Sequence, residues 1–178
     1  SEESQASAEE GATSASKLSD VVANTRIDGK ILIILSGAGS IELSNGKTLE
    51  TGFFMNELAI PGRALKKTGA ELVYATPGGA KPHMDPGSDK PSFFHSEDSY
   101  KKHRAFLKKE GLLNGEANVK SFEEVLKGDL SKFRGIFVPG GLAPTVDLAA
   151  SKPLGKVLSH FHSEQKPMAM LCHGPSAL

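Results

Sequence analysis

The sequence predicts an α/β protein built on a mainly parallel sheet with helices on both faces. Three observations carry this. Residues 30–35, KILIIL, form an unbroken apolar run rich in β-branched side chains, the pattern of a strand buried on both faces, and lead into the loop-forming SGAGS. Three further apolar runs, in ELVYATP from Glu71, GIFVPGG from Gly135 and PMAMLC from Pro167, break off into Pro, Gly or His-Gly-Pro. Segments of helical pattern separate these runs, and such alternation favours parallel strands joined by crossover helices.

The intervening elements come in order along the chain. Residues 53–69, FFMNELAIPGRALKKTG, predict a helix closed by Gly69 with basic residues in its last turn. Pro61 lies inside it, so the helix is expected to start close to Glu57 or to kink there. The stretch GGAKPHMDPGSDKPS is turn-rich and predicts a long surface loop. Residues 96–111 predict a charged helix. SFEEVLKG predicts a short one, with Ser121 as cap and Glu124 three positions on. Residues 153–164 predict another, with Pro153 suited to the first turn. There is no internal repeat.

Bulk composition narrows the function classes. A chain of 178 residues suits one domain with a sizeable core, and 38% hydrophobic with 24% charged residues is ordinary for a globule. Lys+Arg and Asp+Glu both total 21, so no net field favours nucleic acid or an anionic membrane, and neither is an expected partner. The longest apolar run, Ile31 to Leu35, is far short of the ~20 residues of a membrane span. A single cysteine excludes an internal disulfide and a cysteine-based structural zinc site. Residues 1–20 are almost all Ser, Ala, Glu and Gly, which predicts a disordered leader over residues 1–28 before a domain over 29–178. The first residue is not Met; a lost signal peptide or a trimmed sequence accounts for that, and an exported or periplasmic location is favoured over a cytoplasmic one.

Ligands of open parallel sheets bind outside the carboxyl ends of the strands. Three features converge there: the loop after KILIIL leading to Glu57, the pair Gly140-Gly141, and Cys172-His173 after PMAML. A strand breaking sharply at its nucleophile resembles the exposed elbow of α/β hydrolases, with cysteine in the serine position. Cys172 is then expected beside a helix N-terminus, a placement at which thiols titrate at roughly 3.5–7.5 instead of about 8.5. Each residue taken singly has a blander reading. A lone cysteine is most often an inert core residue, His173 a structural histidine, the glycine pair a tight turn and Glu57 a solvated helix residue.

Taken together, the order KILIIL, GFFMNELAIPGRALKKTGAELVYATPGG, MDPGS, GIFVPGGLAPTVDL and PMAMLCHGPSAL resembles the ThiJ/PfpI superfamily, within it the branch of heat-shock chaperones and glutathione-independent glyoxalases. The resemblance covers about residues 29–178. It implies a flavodoxin-like three-layer α/β sandwich with a nucleophilic cysteine at the elbow, matching Cys172, and an adjacent histidine, matching His173. The family's glutamate, which hydrogen-bonds the thiol and exchanges a proton with it, matches Glu57. Backbone N–H groups that hold an oxyanion match Gly141 and His173, with Gly140 beside the substrate. Leu142 stands where many relatives carry histidine. The acid that orients the elbow histidine lies further downstream in this branch, so the domain is expected to be incomplete at its C-terminal end, with the remainder of the protein as a partner. A natural short variant is the alternative.

The expected chemistry is glyoxalase III-type conversion of a small 2-oxoaldehyde, such as methylglyoxal, to a hydroxy acid. No cofactor is required, because one carbon is oxidised as its neighbour is reduced. The alternatives are a cysteine hydrolase acting on amides, and a holdase chaperone or redox sensor in which Cys172 is oxidised to a sulfinate. A metal site using His95 and His103 is set aside in favour of a solvated charged helix. The resemblance also implies a homodimer.

Overall fold

A computed structural model describes residues 24–178; the predicted leader lies almost wholly outside the described residues. Five parallel strands form the central sheet: β1 (Lys30–Ile34), β4 (Glu71–Thr76), β5 (Val119–Ser121), β6 (Phe133–Val138) and β7 (Met168–Met170), in the order β5-β4-β1-β6-β7. A small antiparallel hairpin, β2 (Ser40–Glu42) with β3 (Thr48–Glu50), stands apart. β1 lies at the centre, with Ile33 opposite Tyr74 on one side and Phe137 on the other.

Alternation along β1 builds two cores. Leu32 and Ile34 join Val73, Ala75, Ile136 and Val138 under helices α3 (Phe122–Lys127) and α5 (Lys152–Ser163), which contribute Phe122, Val125, Leu154, Val157 and Phe161. Ile31, Ile33 and Leu35 point the other way, toward Met55, Leu58 and Ala59 of α1 (Met55–Lys67), with Leu107 of α2 (Glu97–Lys109) packed beyond. Burying both faces explains why KILIIL carries no polar alternation. Each such side chain removed from water contributes about 1.5–3 kcal/mol.

One part of the α1 face stays open. Beside β6 and β7 lies a groove of ≈ 660 Å³, lined by Ile31, Pro61, Leu65, Phe137, Met168 and Leu171 among others. Among the described residues no helix is long and apolar enough to cross a membrane.

Several expectations change in detail. Helix α1 begins at Met55 and runs through Pro61 without ending there. Proline lacks the N–H that would reach the Glu57 carbonyl, so the helix forgoes one hydrogen bond instead of stopping. The strand at PMAMLC is only Met168–Met170. The turn-rich stretch after β4 is not simply a surface loop. It contains three single turns, at Pro77–Gly79, Pro86–Ser88 and Pro91–Phe93, and it buries Pro82 and Ser88. The hairpin, β5 and the short helix α4 (Pro144–Asp147) carried no strong periodicity and were not expected. The helices over 97–109 and 152–163 and the capping box of Ser121 with Glu124 match the sequence reading.

Candidate active site

β7 delivers Cys172. The Leu171 N–H donates to the Val138 carbonyl at 3.0 Å, continuing the ladder one residue past the strand, and the chain then turns abruptly. Cys172 sits at φ 51°, a left-handed conformation that costs a non-glycine residue on the order of 1–3 kcal/mol. The turn closes with the Gly174 N–H donating to the Leu171 carbonyl at 2.6 Å. Gly174 has to be small, since a Cβ there would stand 2.6 Å from the Val138 carbonyl oxygen. The Cys172 side chain is exposed, which removes the inert-core reading. The chain continues as a 3-10 turn over Gly174–Ala177.

The His173 ring lies beside the sulfur, with Nδ1 3.2 Å from Cys172 Sγ. Among the described residues no carboxylate hydrogen-bonds this ring.

Glu57 arrives from the first turn of α1, half-buried. Its Oε2 accepts the Gly140 N–H at 2.9 Å, while the Gly140 carbonyl accepts the Phe54 N–H at 3.2 Å. These two bonds stitch the start of α1 to the loop after β6. A Cβ added at Gly140 would overlap the Cys172 Cβ, stand 2.6 Å from Glu57 Oε2 and 3.0 Å from the His173 nitrogen. Glycine is therefore what allows the thiol and the carboxylate to flank one backbone position. Gly141 adopts φ 91°, and a side chain there would overlap the Gly52 carbonyl oxygen.

Cys172, His173, Glu57, Gly140 and Gly141 thus come together at the carboxyl edge of the sheet. Two expected roles differ. The Gly140 N–H is committed to Glu57 Oε2 instead of being free for a substrate. Among the described residues the Glu57 carboxylate hydrogen-bonds that N–H and not the Cys172 thiol, whose partner is His173 Nδ1. Neither the Gly141 nor the His173 N–H has a hydrogen-bond partner among the described residues. Their freedom suits donors held for an incoming oxygen. Leu142, the position noted above as a departure from the family pattern, offers no titratable group.

His103 lies away from this edge. It is buried in α2, with Nδ1 2.7 Å from the Ser99 carbonyl oxygen and its ring stacked on Phe94. Burial first, and then Arg63 and Lys67, push its pKa below the usual histidine range, against the opposing pull of the Ser99 carbonyl. His95 is exposed, and among the described residues no three His, Cys, Asp or Glu side chains cluster as a metal would need.

Residues the sequence reading missed also shape this edge. Asp147 Oδ2 accepts the Gly37 N–H at 2.9 Å and ties the loop after β1 to α4. Phe54 stacks edge-on with Phe93, ring centroids 4.9 Å apart, and Ser88 reaches the start of α1. Only the glycine and proline clustering of the loop hinted at such contacts.

Comparison with known proteins gives the family and the fold. Curated relatives include the protein/nucleic acid deglycases HchA of two Staphylococcus aureus strains, bovine RF122 / ET3-1 and MRSA252, 28% and 27% identical over 156 residues. Those matches cover 84% of this chain and 49% of each relative, so the chain spans about half the length of the curated relatives it matches. Among solved structures, glyoxalase III from Candida albicans superposes with a TM-score of 0.65 at 25% identity, covering 84% of this chain and 59% of that one. The Rapid Encystment Protein of Francisella tularensis gives 0.66 at 19% identity, over 84% and 61%, a likeness of fold. The fold is accordingly the flavodoxin-like α/β sandwich. The DJ-1/PfpI family pattern matches residues 48–178, from β3 through the elbow. The chain belongs to the DJ-1/PfpI family.

Proposed function

We propose that the whole protein is a cysteine-dependent enzyme acting on small reactive carbonyl compounds, with glutathione-independent conversion of 2-oxoaldehydes as its reaction. The observation that carries this reading is the exposed Cys172 on a strained elbow, its sulfur 3.2 Å from His173 Nδ1 and its Cβ packed against the glycine that holds Glu57. Similarity to a glyoxalase III and to deglycases supports the substrate class.

In this reading the Cys172 thiolate attacks the aldehyde carbon of methylglyoxal, and the carbonyl oxygen takes a proton to give a hemithioacetal. The N–H groups of Gly141 and His173 stabilise the developing oxyanion. A base, His173 or Glu57, removes the hydrogen from that carbon, giving an enediolate, and a proton is returned to the neighbouring carbon. The first carbon is thereby oxidised to a thioester and the second reduced to an alcohol. Water cleaves the thioester, releasing lactate and the free thiol. No external oxidant or reductant enters the balance. The acid that orients His173 would come from polypeptide outside these 178 residues, a reading supported by the greater length of the relatives.

The test is lactate formation from methylglyoxal by the full-length protein without glutathione. Wild type should turn over, and Glu57→Gln should lose roughly 10²–10⁴-fold in kcat. Failure of wild type to produce lactate removes the reaction. A second reading, deglycation of carbonyl-modified amines, is favoured by the HchA relatives and uses the same thiol. Release of the free amine from a methylglyoxal-modified lysine, lost in Cys172→Ser, would select it.

A further inference from the structure

We infer that Ser88, in the loop between β4 and α2, is a positioning residue that aims the Glu57 carboxylate by capping α1 from outside the helix. This rests on the proposed role of Glu57. The first N–H groups of any helix lack partners within it, and a Ser, Thr, Asp or Asn just before the helix normally serves them. Here that position is Phe54, which supplies no side-chain bond. The Met55 N–H instead donates to Ser88 Oγ at 2.9 Å, with both residues fully buried. The Ser88 hydroxyl hydrogen is spent on the Asp85 carbonyl at 2.6 Å, which leaves an oxygen lone pair directed at Met55.

The loop is itself held firmly against the chain entering α1. The Phe53 N–H donates to the His83 carbonyl at 2.8 Å, and the Asp85 N–H returns to the Phe53 carbonyl at 3.0 Å. Asp85 accepts the Gly87 N–H at 2.7 Å and the Thr51 hydroxyl at 3.3 Å, and Asn56 Nδ2 donates to the Phe93 carbonyl at 3.0 Å. Glu57 lies on that same first turn, and its Oε2 must meet the Gly140 N–H at 2.9 Å. Removing the Ser88 hydroxyl leaves the buried Met55 N–H without a partner, and relief comes by rotation or fraying of the turn that carries Glu57. Misplacement of a catalytic group by about 1 Å costs on the order of 10²-fold in rate.

The experiment is a double-mutant cycle on the full-length protein, with methylglyoxal as the probe and kcat, KM and Tm measured for each form. Ser88→Ala alone should lower kcat about 10- to 100-fold with KM little changed. In a Glu57→Gln background Ser88→Ala should lower kcat no further, because its effect passes through the carboxylate. An equal loss in both backgrounds, or wild-type kcat for Ser88→Ala while Glu57→Gln is impaired, overturns the inference and leaves the role of Glu57 intact. Full activity of Glu57→Gln overturns the parent reading, and the inference with it. Should Ser88→Ala not fold, Ser88→Cys, nearly isosteric with a weak acceptor, takes its place, with a smaller loss that again vanishes without Glu57. Loss of folding in both variants assigns Ser88 to the fold alone and overturns the inference.

Discussion

At the scale of single residues, two adjacent glycines do different work and predict different failures. Gly140→Ala pushes a methyl group between Cys172 and Glu57, so kcat/KM on methylglyoxal should fall on the order of 10²-fold. Gly141→Ala combines a left-handed backbone with a clash at the Gly52 carbonyl and should cost roughly 2–4 kcal/mol, read from the denaturant midpoint. Gly155, exposed on α5 with open space around it, is the control: its change to Ala should stabilise by about 0.5–1 kcal/mol. A wild-type rate for Gly140→Ala would mean that the thiol and carboxylate do not act across this position. Cys172, His173 and Glu57 were legible because CHGP after an apolar strand and NELAIP on a helix are local patterns. The bond that occupies the Gly140 N–H was not, since it joins residues far apart in the chain.

At the scale of elements, helix starts show the same division. Ser96 and Ser121 cap their helices from the adjacent position, and the Ser121 cap was read from the sequence. Helix α1 is capped by Ser88 across space, and no spacing rule exposes that. Ser121→Ala should cost about 1 kcal/mol by loss of its capping box. Helix α2 carries a pH signature through His103, faced by Ser99 on its own helix, by Phe94 from the loop and by Arg63 and Lys67 of α1. In the unfolded chain this histidine takes a proton near pH 6.5, whereas in the fold it does so only at lower pH. The unfolded state therefore binds more protons as pH falls below about 6.5, and stability declines across that window. His103→Gln should flatten the decline of Tm between roughly pH 6.5 and 5; an unchanged slope would remove His103 as its source. Asp89 acts lower on the scale. Burial opposes its ionisation, but hydrogen bonds from Arg104 and Tyr100 outweigh burial and hold its carboxyl below the usual range. Its stabilisation is present above about pH 3.9 and is lost as pH falls through its depressed folded value, outside the His103 window.

At the scale of the whole molecule, β1 carries both cores, and this was the most legible part of the fold. An apolar run without alternation needs cover on two sides. Leu32→Ala should cost about 2–5 kcal/mol. The short strands at the sheet's margins were harder to read, because three residues show no period. Beside β6 and β7 the sheet carries an open apolar groove on its α1 face. In the 178-residue chain the groove should bind an apolar fluorescent dye, with the signal reduced by Leu65→Glu; an unaffected signal would place the dye elsewhere. The central claim, that the elbow sulfur performs the chemistry, is tested most directly by titrating the native full-length protein with iodoacetamide, mapping the label and assaying each sample for glutathione-free lactate formation. The account predicts that activity falls in proportion to the fraction of Cys172 alkylated, reaching zero at one label on that residue. Complete labelling of Cys172 with activity retained would contradict it.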